Sequence, residues 1–110
     1  MTLVEQHKKI CYNLNKIYEK KNHDYGNSFG ETYKDLGIIS AVTRISDKFN
    51  RLKTLAKGEN NLVNDESLED TLLDMANYCI MTKMCLDSDK HKNESEGNNY
   101  GKWNSIQTNY

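Results

Sequence analysis

The stretch Asp65–Met81, DESLEDTLLDMANYCIM, decides the fold. At about 100° per residue, Leu68, Leu72, Met75 and Cys79, flanked by Leu73, Ala76 and Ile80, share one broad side, as in an amphipathic helix. Asp65 is a good N-cap, and the apolar pattern runs on to about Leu86. With Glu66 as origin, Asn77, Asp70 and Asp74 fall at about 20°, 40° and 80°. These four make a ladder of oxygen groups that borders the apolar side at Leu73 and Ile80, so it can face a cleft. Carboxylates stacked at i, i+4 repel by roughly 0.2–0.5 kcal/mol, a cost that cations or water must offset. Mg²⁺ suits hard oxygen donors at this spacing. A plain polar face, with acids favoured near the helix N-terminus, accounts for Glu66 and Asp70 but not for Asp74 and Asn77.

Working outward, Ile38, Val42, Ile45, Phe49, Leu52 and Ala56 share a face of a preceding helix, for which Gly58 is a natural stop. Arg44, Asp47, Lys48 and Arg51 fall together on its other side. Three readings are open. Asp47 can pair with Arg44 or Arg51, as on any exposed helix; Arg44, Lys48 and Arg51 can meet phosphate oxygens, for which guanidinium forks are suited; or the basic stripe can pair with the acidic ladder of the following helix.

Further upstream, Thr2 with Glu5 forms a capping-box pattern, and Leu3, His7, Ile10, Leu14 and Ile17 recur at helical spacing, predicting a first helix over about 3–20. Lys21–Phe29, KNHDYGNSF, reads as a loop that packs hydrogen-bonding and aromatic side chains around one glycine. Turn chemistry explains Gly26 and Asn27. His23, Asp24, Tyr25 and Phe29 are candidates to touch a ligand. Phe29 to Leu36 is predicted as a short helical turn closed by Gly37. The expectation is an all-α small bundle of three main helices and this turn over residues 1–87, with a polar, disordered tail over 88–110.

Composition agrees. The chain has 110 residues, 36% hydrophobic and 28% charged, and no proline, which suits a small helical protein with a thin core. Three cysteines, an odd number without metal-ligand spacing, read as reduced, buried thiols in a cytoplasm, the host's if the chain is phage-encoded. No leader pattern or membrane-length apolar run is visible. The net charge of −1 argues against a general nucleic-acid binder. The charge is divided, however: residues 65–87 carry six acids against one lysine.

Three blocks in order, KNHDYGNSF, RISDKFNRLKTL (44–55) and DESLEDTLLDMANYCIM, resemble the nucleotide modification associated domain 1 family of small helical proteins found largely in phages and bacteria. That resemblance implies a link to nucleotide metabolism or base modification without fixing a reaction. A looser similarity runs to the all-helical MazG-type nucleoside triphosphate pyrophosphohydrolases, whose third helix often resembles ESLEDTLLD and whose acids there hold Mg²⁺. Glu66 and Asp70 match those positions. Such hydrolases place a glutamate pair on the second helix, where this chain offers Asp47 among Arg44, Lys48 and Arg51.

The sequence thus supports a protein that binds a nucleotide or nucleotide derivative through His23, Asp24, Tyr25, Phe29, Arg44, Lys48 and Arg51. One alternative is a Mg²⁺-dependent pyrophosphohydrolase using Asp47, Glu66, Asp70, Asp74 and Asn77 as the metal set. Another is a non-catalytic sponge for a nucleotide signal of host immunity. Catalytic residues are not assigned. Because three helices of this size cannot cover the broad apolar side of the last one, a homo-oligomer is expected.

Overall fold

The structure, a computed structural model, describes residues 1–58 and 67–95, the last two by their backbone alone. Four helices and no strand occur among the described residues: α1 Leu3–Tyr25, α2 Ser28–Leu36, α3 Ile38–Ala56 and α4 Leu68–Ser95. The all-α bundle expected from the apolar periodicities is what forms. The acceptor at the start of α1 is the one the capping box predicts, with Thr2 Oγ1 taking the Glu5 N–H at 3.1 Å.

Three boundaries differ from the sequence reading. The first helix runs five residues beyond Lys20, to Tyr25, so most of KNHDYGNSF is helical and the connector shrinks to Gly26 and Asn27. Gly26 stops α1 at φ 66°, ψ −157°, a conformation open almost only to glycine, while its N–H reaches Asn22 O at 2.8 Å. Asn27 then caps α2, its side-chain oxygen accepting the Gly30 N–H at 3.1 Å. At the start of α4 Ser67 acts as a cap, its Oγ accepting the Asp70 N–H at 3.0 Å. The cap expected at Asp65, the polar loop before it and the chain beyond Ser95 lie outside the described residues.

The third difference is at the far end. The fourth helix passes Leu86 and continues to Ser95, so part of the predicted disordered tail is helical. The Tyr33 hydroxyl on α2 donates to Asp89 on α4 at 2.7 Å, anchoring those added turns. Burial, with the Asp89 carboxylate beside it, pushes the Tyr33 phenol up to about 12.

The principal helix pair is α3 with α4; α2 packs across both, and α1 meets α4. Few side chains are fully enclosed. Leu14, Phe29 and Ala41 are the buried apolar residues, joined by Thr71, Asn77 and Thr82. The polar three are satisfied: Thr71 and Thr82 bond the Ser67 and Tyr78 carbonyls at 2.9 and 2.7 Å, and Asn77 Nδ2 reaches Leu14 O at 3.2 Å. The last bond pins the middle of α1 to α4. Cys11 and Cys79 are exposed and Cys85 half-buried, against the expectation of three buried thiols. Cys85 lies beside α2, lining a groove with Gly30 and Tyr33. No helix among the described residues is long and apolar enough to cross a membrane.

Candidate functional site

A cleft of about 360 Å³ opens where the end of α1, the start of α2 and the middles of α3 and α4 converge. From α1 it takes Tyr18, Lys21, Asn22 and Tyr25, at i, i+3, i+4 and i+7, one face of a helix. From α4 it takes Asp74, Asn77, Tyr78 and Met81, the same spacing repeated. The Gly26–Asn27 turn with Ser28 and Phe29 closes one end, and Arg44 enters from α3. The site therefore depends on two helical stripes held together by a glycine turn.

The aromatic part of the wall is fixed. Phe29 is buried and its ring stacks on Tyr78 with centroids 5.8 Å apart and planes 16° apart. A planar ligand between the two rings would need about 7 Å, so this pair acts as a wall and not as a slot. The Arg44 guanidinium lies over Tyr78, 6.0 Å from the ring centroid. Tyr25, 74% exposed as a residue, lines the α1 side.

The polar part centres on Asp74. Oδ1 accepts from Lys21 Nζ of α1 at 3.1 Å, and Oδ2 accepts from Lys48 Nζ of α3 at 3.0 Å. One carboxylate thus ties three helices. Burial acts to raise the Asp74 carboxyl, but the hydrogen bonds from Lys48 and Lys21 and their charges outweigh it and hold the group below its ordinary range.

Of the residues singled out from sequence, Tyr25, Phe29, Arg44, Asp74 and Asn77 line this cleft, and Lys48 reaches it through Asp74. His23 and Asp24 do not line it. They sit on the other side of α1, with His23 Nδ1 3.2 Å from Asp24 Oδ1 and the His23 side chain 88% exposed. Arg51 is half-buried on α3 outside the lining, and Asp47 and Asp70 are exposed. Glu66 lies outside the described residues. Among the described residues no group of three or more His, Cys, Asp or Glu converges. Both Asp74 oxygens face ammonium groups, and Asn77 Nδ2 donates to Leu14 O.

Tyr18, Lys21, Asn22, Tyr78 and Met81 were not candidates from sequence, yet all five line the cleft. The signal was present: Tyr78 and Met81 follow Asp74 by four and seven residues, and Lys21 and Asn22 open the stretch taken for a loop. A wider, more open groove of about 680 Å³ runs between α2 and the last turns of α4, past Tyr33, Lys34, Asp89 and Lys92. It contains none of the candidates.

The profile of the nucleotide modification associated domain 1 family matches residues 21–86, a span that takes in every lining residue of the cleft except Tyr18 and ends within α4, beyond Met81. Comparison with curated proteins and with solved structures returned no match.

Proposed function

This chain belongs to the nucleotide modification associated domain 1 family, and from that premise we propose that it binds a nucleotide or nucleotide derivative in the cleft between α1 and α4. One observation carries the reading. An aromatic wall of Phe29 and Tyr78 stands next to the Arg44 guanidinium, which makes no ion pair among the described residues. A base needs a flat apolar surface and its phosphate needs a cation within reach of that surface. Tyr78 with Arg44 offers both on adjoining elements. Tyr25, exposed on α1, supplies a second ring that can turn towards the base.

Binding without turnover is the form the geometry favours, because the carboxylate in the cleft is held by two lysines and serves neither as a metal ligand nor as a base. Calorimetry of the intact protein against nucleosides, nucleotides and cyclic nucleotides tests the reading. Binding of at least one, recovered unchanged after the complex is denatured, is the expected result. Failure of every compound to bind would refute it, and recovery of cleaved ligand would favour a hydrolase.

The protein also acts as a homo-oligomer in this reading. Leu3, Val4 and Ile10 of α1 and Leu72, Ile80 and Met84 of α4 stay exposed in the single chain, apolar surface that packing against a second copy would bury.

A further inference from the structure

We propose that the cleft selects a nucleotide carrying one phosphate, a nucleoside monophosphate, over the corresponding triphosphate. This inference rests on the nucleotide-binding reading above and adds to it the class of ligand.

The charges on the wall set the limit. Lys21 and Arg44 line the cleft and Lys48 stands behind Asp74, so the described wall carries three cations and one carboxylate. Asp74 engages two of those cations through separate oxygens, which leaves Arg44 as the cation with no anionic partner among the described residues. A phosphate monoester carries roughly −1.5 to −2 near neutral pH. One guanidinium fork, with help from Lys21 at the edge of its pair, matches that charge in number and geometry. Each added phosphate would bring a further negative charge towards Asp74 with no additional cation on the described wall to receive it.

Triphosphates are usually held with Mg²⁺ bridging their oxygens to protein carboxylates. The described wall offers only Asp74 for this, and ammonium groups occupy both of its oxygens. Size points the same way, since about 360 Å³ lies near the small end of the roughly 300–1,000 Å³ spanned by ligand pockets.

The test is a calorimetric series on the intact protein: each of the four standard deoxynucleosides with its 5′-mono-, di- and triphosphate, with and without Mg²⁺. For the preferred base, the monophosphate should bind at least about tenfold tighter than both the nucleoside and the triphosphate. Arg44→Gln should bring the ratio of monophosphate to nucleoside affinity down to about one, and Arg44→Lys should restore part of that ratio. Equal affinity for nucleoside and monophosphate, or a triphosphate that binds as tightly in either condition, would overturn the inference while leaving nucleotide binding intact. No binding by any member would overturn both. The wild-type series decides the matter even if a variant fails to fold.

Discussion

Lys21 Nζ lies 3.1 Å from Asp74 Oδ1, and this bond fastens the last turns of α1 to the middle of α4 across the cleft. The opposite oxygen of the same carboxylate holds Lys48. Replacing Asp74 by Asn would remove the charge that both Lys21 and Lys48 contact on this carboxylate. The Asp74 side chain is 22% exposed and that of Lys48 20%, while Lys21 is 58% exposed, so the Lys48 contact is the less screened of the two. Asp74→Asn should lower unfolding stability by about 1–3 kcal/mol, read as a shift in the urea midpoint at unchanged slope.

The same contact gives a pH dependence with a defined sign. The folded-state value of Asp74 lies below its ordinary 3.8, so folding favours the ionised form. Its stabilisation is present in full above the unfolded value and is lost as pH falls through the lower, folded value. Urea midpoints of the wild type should therefore fall on acidification below about pH 4, and part of that slope should vanish in Asp74→Asn. An identical acid slope in both proteins would remove Asp74 from the account.

The helical architecture was legible because apolar residues recur at helical spacing in every main segment, from Leu3 to Ile17, Ile38 to Ala56 and Leu68 to Ile80. The cleft was legible only in part, and one misreading accounts for much of the loss. Treating KNHDYGNSF as a loop hid the spacing of Tyr18, Lys21, Asn22 and Tyr25. In a loop, His23 and Asp24 look as available as Tyr25; on a helix they turn to the opposite side. Of the ladder on α4, Asp74 and Asn77 line the cleft, but no single-helix pattern shows that Lys21 and Lys48 arrive from two other helices to take separate oxygens of Asp74. Tyr33 with Asp89, which anchors the end of α4, is likewise a long-range pair that local composition does not reveal.

Gly26 sets the angle between α1 and α2 and hence the position of the α1 stripe. No atom would obstruct a side chain there; the obstacle is the positive φ of 66°. Gly26→Ala should therefore cost about 1–3 kcal/mol through backbone strain alone. If α1 relieves that strain by swinging away, nucleotide affinity will fall along with stability. A variant as stable as the wild type would show that the turn is not restrained as described.

Assembly is open to direct measurement. With Leu3 and Val4 about four-fifths exposed, the apolar end of α1 is a poor solvent-facing surface, and a second copy of the chain would cover it by helix packing. Light scattering on the intact protein at micromolar concentration should give a mass of two or more chains. Glu substituted at Leu3 and Ile10 should reduce it. A stable monomer with unchanged helicity would contradict this assembly.

The central claim is that a nucleotide sits between the α1 and α4 stripes. An NMR titration of the intact protein with the tightest ligand from the calorimetric panel, following assigned backbone amides and tyrosine ring protons, locates the site directly. Shifts should concentrate at Lys21–Phe29, at Arg44 and from Asp74 to Met81, with ligand-to-ring contacts at Tyr78. Saturable binding whose shifts instead cluster around Tyr33, Lys34, Asp89 and Lys92, with Tyr78 unmoved, would contradict the account.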